Sequence, residues 1–124
     1  MTSVLVVDDN DSNRKLALEV LSAAGFQTFD AATAEQGIAL AVEHVPDVIL
    51  MDLRLPDMTG VDAMRRLMQH ERTARIPVVA ISASPLEGRG DWLEEAGFVG
   101  WLEKPIQVRT FPEQVRRYCA GRTE

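Results

Sequence analysis

Short apolar runs alternate with amphipathic stretches along the chain, and the alternation occurs five times. The first run, Val4–Val7, and the third, Val48–Met51, are too continuously apolar for a strand that has one face in water. The pattern therefore predicts short strands that are buried on both faces. We expect strands at Ser3–Asp8, Gln27–Ala31, Val48–Asp52, Pro77–Ser82 and Phe98–Glu103.

Between the strands, apolar residues recur at the three- and four-residue spacing of a helix. Thr33 and Thr110 each precede a Gln or Glu by three positions, which is typical of a helix N-terminus. We expect helices over Ser12–Ala24, from Thr33 onward, over Val61–Glu71, over Asp91–Ala96 and from Thr110 onward.

Three of these helices have a predicted inward face. The face comprises Leu16, Ala17, Val20, Leu21 and Ala24 in the first helix, Met64, Leu67 and Met68 in the third, and Phe111, Val115 and Tyr118 or Cys119 in the fifth. Strands that alternate with helices predict a mainly parallel sheet with helices on both faces. No linker or shift in composition divides the chain, so residues 1–124 are expected to form one α/β domain.

Composition restricts the functions that are open to this chain. Of its 124 residues 46% are hydrophobic, and the net charge of −6 argues against direct binding of nucleic acid. No apolar stretch approaches the length of a membrane span, and the N-terminus enters a strand without a signal peptide. The single cysteine, Cys119, cannot form a disulfide within the chain, which fits a reducing compartment. We therefore expect a cytoplasmic protein with no membrane partner.

Side chains suited to phosphate chemistry occur at the carboxyl ends of four predicted strands. Asp8 and Asp9 close the first strand, Asp52 ends the third, Ser82 ends the fourth, and Lys104 follows the fifth. In a parallel sheet these ends share one edge, where open α/β sheets bind their ligands. Three carboxylates in one pocket require a proton or a divalent cation, and oxygen ligands favour Mg²⁺. Such a set can bind Mg²⁺ and stabilise a phosphoryl group, and a carboxylate can accept that group as a nucleophile.

Four segments in order resemble the receiver (CheY-like) domain of two-component response regulators. They are Val6–Asn10, Met51–Gly60, Pro77–Ala83 and Ala96–Pro105. The resemblance covers essentially the whole chain. It implies a flavodoxin-like, doubly wound (βα)5 fold, a three-layer sandwich around a parallel five-stranded sheet of order 2-1-3-4-5.

The resemblance also implies roles for the acidic residues. Asp52 would be the phosphoacceptor. Asp9, Asp52 and the backbone carbonyl of Arg54 would bind Mg²⁺ directly, and Asp8 would bind it mainly through water. Mn²⁺ is the alternative ion.

Four further residues take roles from the same resemblance. Lys104 would pair with the phosphoryl oxygens, and Ser82 would hydrogen-bond the attached phosphoryl group. Pro105 matches a proline whose bond to the preceding lysine is often cis. Trp101 occupies the switch position together with Ser82, where Tyr or Phe is usual. A Trp that stays packed on the last helices is the alternative for this position.

The resemblance implies a signalling switch rather than an enzyme, with self-phosphorylation and autodephosphorylation as its only chemistry. The phosphodonor would be a histidine kinase or a histidine phosphotransfer protein. A downstream protein would bind the face formed by helix 4, strand 5 and helix 5, and we expect no output domain. The protein is expected to be a monomer or a homodimer that forms on activation.

Two other functions remain open at this point. A phosphatase of the haloacid-dehalogenase type also forms an aspartyl phosphate, but it needs a second Asp two residues after the nucleophile, where this chain has Arg54. The other is a pseudo-receiver that binds partners without taking up phosphate.

Overall fold

The computed structural model of the chain describes residues 2–83 and 92–122, with side chains as far as residue 119. Within these ranges five strands alternate with five helices. The strands are β1 Ser3–Val7, β2 Gln27–Ala31, β3 Val48–Asp52, β4 Val78–Ser82 and β5 Gly100–Glu103. The helices are α1 Asp11–Ala23, α2 Ala34–His44, α3 Gly60–Gln69, α4 Trp92–Ala96 and α5 Phe111–Arg122.

All neighbouring strands are parallel, and their order across the sheet is β2-β1-β3-β4-β5. The predicted flavodoxin-like topology is confirmed. In the register of the sheet, Val7 of β1 lies opposite Met51 of β3, and Asp52 lies opposite Ile81 of β4. The carboxyl ends of β1, β3 and β4 are therefore level, and the residues that follow them meet at one edge.

Two hydrophobic cores lie on opposite faces of the sheet. Helices α2, α3 and α4 cover one face through residues such as Ala41, Leu67 and Leu93. Helices α1 and α5 cover the other face through Leu21 and Phe111. Every residue of β3 and β4 is buried, which explains why these strands appear in the sequence as unbroken apolar runs.

Strands β2 and β3 have the predicted bounds, whereas β1, β4 and β5 are slightly shorter than the sequence predicts. Asp8, Pro77 and Phe98 lie just outside β1, β4 and β5. Pro77 has no N–H to donate to the ladder. The N–H of Phe98 donates to the carbonyl of Leu93 in α4 at 3.0 Å, so it does not pair with β4. The observed α1 and α3 differ from their predicted bounds by one or two residues, and the predicted start of α4 at Asp91 lies outside the described residues.

The prediction that Leu16 and Met68 face inward is wrong, because their exposed fractions are 38% and 51%. On α1 the buried residues are Ala17 and Leu21, which lie one turn apart. Leu16 precedes Ala17 by about 100° around the helix, beyond the stripe that contacts the sheet. Met68 follows Leu67 by about 100° around α3 and lies next to Gly97, in the turn that follows α4. The predicted inward face of α5 is confirmed, with Cys119 more buried than Tyr118.

Helices α1 and α2 each follow a residue whose side chain caps the helix N-terminus, as predicted for Thr33. The side chain of Asn10 accepts the N–H of Asn13 at the start of α1, and Thr33 accepts the N–H of Gln36 at the start of α2. Gly25 follows α1 with a positive φ of 95°, a backbone conformation that suits glycine at the end of a helix. Among the described residues, no helix is long and apolar enough to span a membrane.

Gly60 allows the start of α3 to pack closely against the end of β3. A Cβ at this position would lie 2.6 Å from the carbonyl oxygen of Asp52 and 2.8 Å from the Cα of Leu53. The N–H of Gly60 donates to the carbonyl of Leu53 at 2.9 Å. The loop after Asp52 is thereby folded back along the edge of the sheet.

Candidate functional site

A cavity of about 470 Å³ opens at the carboxyl edge of the sheet. Residues from the ends of β1, β3, β4 and β5 and from the first turn of α1 surround it. Its lining consists of Asp9, Asn10, Asn13, Asp52, Arg54, Ser82, Ala83 and Lys104. The parallel register accounts for this convergence of residues that are far apart in the chain.

Three carboxylates meet at this cavity. Oxygen atoms of Asp8, Asp9 and Asp52 all lie within 4.8 Å of one another. Asp8 and Asp52 are buried, whereas Asp9 is exposed and reachable from water. A close set of carboxylate oxygens with one exposed member suits a hard divalent cation such as Mg²⁺, which retains some of its water ligands.

Lys104 lies between the two buried carboxylates. Its Nζ is 2.7 Å from Oδ2 of Asp52 and 3.0 Å from Oδ2 of Asp8, and its side chain is 15% exposed. Its backbone N–H donates to the carbonyl of Ser82 at 2.9 Å, which fixes the chain where it leaves β5. The bond from Lys104 to Pro105 is cis, as expected. One ammonium facing three carboxylates leaves the cluster with excess negative charge when all three are ionised.

Backbone N–H groups hold the other oxygen of each buried carboxylate. The N–H of Asn10 donates to Oδ1 of Asp8 at 2.9 Å, and the N–H of Arg54 donates to Oδ1 of Asp52 at 3.0 Å. Each carboxylate is thus held between a turn of its own loop and Lys104. Arg54 lines the cavity, and metal coordination through its carbonyl stays a prediction.

Burial and charge act against each other on Asp52 and Lys104. Burial raises the pKa of the Asp52 carboxyl, the charge of Asp8 adds to that rise, and the contacts with Lys104 and the Arg54 N–H reduce it. Burial by itself would lower the pKa of Lys104, but its hydrogen bonds to Asp52 and Asp8 outweigh burial and raise it. Lys104 is therefore positively charged at neutral pH, and the cluster favours any ligand that supplies more positive charge.

Ser82 and Trp101 lie on the same face of the sheet. Ser82 ends β4, is buried and lines the cavity. Trp101 lies opposite Ala80, two residues before Ser82, and is partly buried against the core under α2, α3 and α4. Its indole Nε1 is buried and has no hydrogen-bond partner among the residues that the structure describes.

The sequence prediction gave no site role to several residues that the structure places at or beside the site, among them Asn13, Arg14 and Asp57. Asn13 lines the cavity. Arg14 hydrogen-bonds the carbonyl of Asp8 at 2.7 Å. The carboxylate of Asp57 accepts the N–H groups of Ala34 and Glu35, each at 2.9 Å, and so connects the loop after β3 to the start of α2. For Asn13 and Arg14 the available signal was their position in the first turn of the helix that follows the acidic pair.

Comparisons with known proteins agree with this geometry. Residues 4–116 match the model of the response regulator receiver domain family. The polar-differentiation response regulator DivK of Brucella ovis is 34% identical over 116 residues, which cover 94% of each chain.

Two solved structures share both the fold and part of the sequence. Chemotaxis response regulator CheY4 of Vibrio cholerae superposes with a TM-score of 0.88 at 27% identity, over 95% of this chain and 98% of that one. The receiver domain of sensor histidine kinase PA1611 from Pseudomonas aeruginosa has a TM-score of 0.85 at 29% identity, over 96% and 98% of the two chains. The PA1611 structure has a magnesium ion coordinated in its active site cleft.

Proposed function

We propose that this chain, which belongs to the family of response regulator receiver domains, accepts a phosphoryl group on Asp52 in a Mg²⁺-dependent reaction. The donor would be a phosphohistidine of a histidine kinase or a histidine phosphotransfer protein. The observation that carries the proposal is the contact of Lys104 with Asp52 (2.7 Å) beside a close cluster of three carboxylates. No other described part of the chain combines a buried carboxylate, an ammonium and a group of metal-ligating oxygens.

The donor set fits a magnesium ion. Asp9, Asp52 and the carbonyl of Arg54 would hold it directly, and Asp8 would do so through water. The bound ion would neutralise the excess negative charge of the cluster and the charge on the transferred phosphoryl group.

In the transfer step, a carboxylate oxygen of Asp52 attacks the phosphorus atom of the donor. An O–P bond forms while the N–P bond of the phosphohistidine breaks, and the imidazole leaves with the electron pair of that bond. The product is an acyl phosphate on Asp52 and a donor histidine without phosphate. Lys104 is already close enough to turn from the carboxylates to the phosphoryl oxygens, where it stabilises their charge. Ser82 would donate its hydroxyl hydrogen to one of these oxygens.

Trp101 would couple phosphorylation of Asp52 to a structural change at the protein surface. Ser82 moves toward the phosphoryl group, and the indole on the same face of the sheet fills the space that this movement opens. The buried Nε1 favours a ring that can change position. A buried donor without a partner costs about 1–3 kcal/mol, and a change of ring position can relieve that cost. The altered face would consist of α4, β5 and α5, where Trp92 is 40% exposed, and a downstream protein would bind there.

The test is phosphorylation by acetyl phosphate or phosphoramidate with Mg²⁺, followed by intact mass. We expect the protein to gain the mass of one phosphoryl group, and to lose this gain after Asp52→Asn and after chelation of Mg²⁺. Asp57→Asn is the matched control, because Asp57 lies in the loop that follows Asp52 and does not line the cavity. Labelling of the Asp52→Asn protein, or a folded wild-type protein that takes up no phosphate, would contradict the proposal. The second result would support the pseudo-receiver alternative.

A spectroscopic measurement tests the switch. Trp101→Phe should retain phosphate uptake and lose the part of the phosphorylation-dependent fluorescence change that comes from Trp101. An unchanged signal in Trp101→Phe, with the signal lost in Trp92→Phe, would show that Trp101 is a fixed core residue.

A further inference from the structure

We infer that Arg14 is a positioning residue, which holds the turn containing Asp8 and Asp9 in the conformation that binds a divalent cation. The inference rests on the proposed function, since it concerns the same cation site. Arg14 lies in the first turn of α1, and its side chain is 16% exposed.

The guanidinium of Arg14 connects three parts of the chain. Nη1 donates to the carbonyl oxygen of Asp8 at 2.7 Å, Nε donates to Oδ2 of Asp30 on β2 at 3.0 Å, and Nη2 donates to Oδ1 of Asp11 at 2.7 Å. Each guanidinium nitrogen is used, and each acceptor comes from a different element or loop. This planar fork fixes the guanidinium in one place, from which it can hold the Asp8 carbonyl.

The carbonyl of Asp8 determines where both carboxylates of the acidic pair point. It belongs to the planar peptide group that joins Asp8 to Asp9, so its direction sets the orientation of that peptide. The N–H of Asp8 donates to the carbonyl of Ala31 at 3.1 Å, and the N–H of Asn10 donates to the Asp8 side chain at 2.9 Å. With Arg14 on the carbonyl, the turn is held at its start, at its middle and at its end.

The charge of Arg14 and its geometry predict opposite effects on cation binding. A positive charge beside the cluster repels a divalent cation, so removal of the charge alone would tighten binding. If Arg14 acts by orienting the turn, its removal weakens binding, because the carboxylates no longer converge. Asp11 and Asp30 neutralise much of the guanidinium charge, which allows Arg14 to lie near the cation site at little electrostatic cost.

The experiment measures Mg²⁺ affinity by isothermal titration calorimetry, and thermal unfolding with chelator present, for wild type, Arg14→Met and Arg14→Lys. Residues that orient metal ligands typically change affinity about 10- to 100-fold, so we expect the Mg²⁺ Kd of Arg14→Met to rise about tenfold. Arg14→Lys keeps the charge but cannot make the three-way fork, so it should remain weakened. At saturating Mg²⁺, labelling by acetyl phosphate should approach the wild-type extent in both variants.

Arg66→Met is the matched control, because Arg66 also pairs with a carboxylate (Glu35, 3.2 Å) but lies away from the cavity. Its Mg²⁺ affinity should equal that of wild type. Unchanged or tighter Mg²⁺ binding by Arg14→Met would overturn the inference. If Arg14→Met does not fold, Arg14→Lys decides, and wild-type affinity in that variant would overturn it. A wild-type protein that binds no Mg²⁺ would instead refute the proposed function.

Discussion

Two sets of charged residues in this molecule make similar contacts in different surroundings. At the carboxyl edge of the sheet, Lys104 contacts Asp8 and Asp52 at 3.0 and 2.7 Å, and the three side chains are 15%, 4% and 9% exposed. On the outer surface, Arg66 contacts Glu35 at 3.2 Å, and these side chains are 55% and 68% exposed. Water screens the surface pair, whose typical value is about 0–1 kcal/mol, whereas the buried charges interact with little screening.

The difference supports the proposed ligand site, because the buried cluster carries more negative than positive charge. For stability alone, one carboxylate paired with one ammonium would suffice. The edge of the sheet instead combines three carboxylates with a single ammonium, and burial disfavours the ionised form of Asp52. Local departures from an optimally stable arrangement of this kind are typical of functional sites. The Arg66–Glu35 pair offers no comparable site, since one acid faces one base and both side chains are mostly exposed.

The largest effect is expected for Lys104→Met, which leaves two buried carboxylates without their cation. Loss of one partner of a fully buried pair costs about 3–5 kcal/mol, and the partial exposure of Lys104 reduces our expectation to about 2 kcal/mol. Urea unfolding at pH 7 with a chelator measures this loss, and added Mg²⁺ should recover part of it.

Lys15→Met is the control for Lys104→Met, because Lys15 is the only other lysine of the chain and is exposed on α1. We expect it to change the free energy of unfolding by less than about 0.5 kcal/mol. Equal losses in the two variants would remove the distinction between the buried cluster and the surface charges.

Asp57→Ala should have the next largest effect, about 1 kcal/mol, because its carboxylate satisfies two N–H groups at the start of α2. Burial by itself would raise the pKa of Asp57, but the N–H groups of Ala34 and Glu35 outweigh burial and lower it below the ordinary value of 3.8. The contribution of Asp57 is therefore complete above that pH and is lost as the pH falls through the lower folded-state value. Urea unfolding of both proteins from neutral pH down to about one unit below the ordinary carboxyl value measures this. A difference between them that persists at the lowest pH would contradict the assignment.

The stability difference between wild type and Asp52→Asn should depend on pH less strongly than that for Asp57→Ala, and with the opposite sign. The pKa of Asp52 is raised in the folded state, so the stability that it contributes is complete below its ordinary value of 3.8 and is lost as the pH rises through the folded-state value. Without Mg²⁺, wild type should therefore gain stability relative to Asp52→Asn as the pH falls toward that value. If the free energies of unfolding of the two proteins in chelator change with pH in the same way, the pKa of Asp52 is not raised in the folded state.

The smallest effect is expected for Arg66→Met, below about 0.5 kcal/mol in urea unfolding at moderate salt. The pair with Glu35 is exposed, and salt screens it further. A loss of stability as large as that of Lys104→Met would mean that burial is not what separates the two sets of charges.

The sequence alone determined the order of elements, the parallel sheet and the residues at its carboxyl edge. Strands buried on both faces appear as unbroken apolar runs, so β1, β3 and β4 are visible without tertiary information. Chain order and short connections then place Asp8, Asp52 and Ser82 at one edge. The receiver family was likewise evident from motifs at the strand ends, and the match over residues 4–116 confirms it.

Only the tertiary structure revealed how each helix is rotated on the sheet and which side chains bind backbone N–H or carbonyl groups. Leu16 and Met68 lie at the margins of apolar stripes, and the seating of a helix on the sheet decides which marginal residue is covered. Arg14 donates to the backbone carbonyl of Asp8, and Asp57 accepts two backbone N–H groups at the start of α2. Every residue carries such backbone groups, so no pattern of side chains marks the ones that a distant side chain will reach.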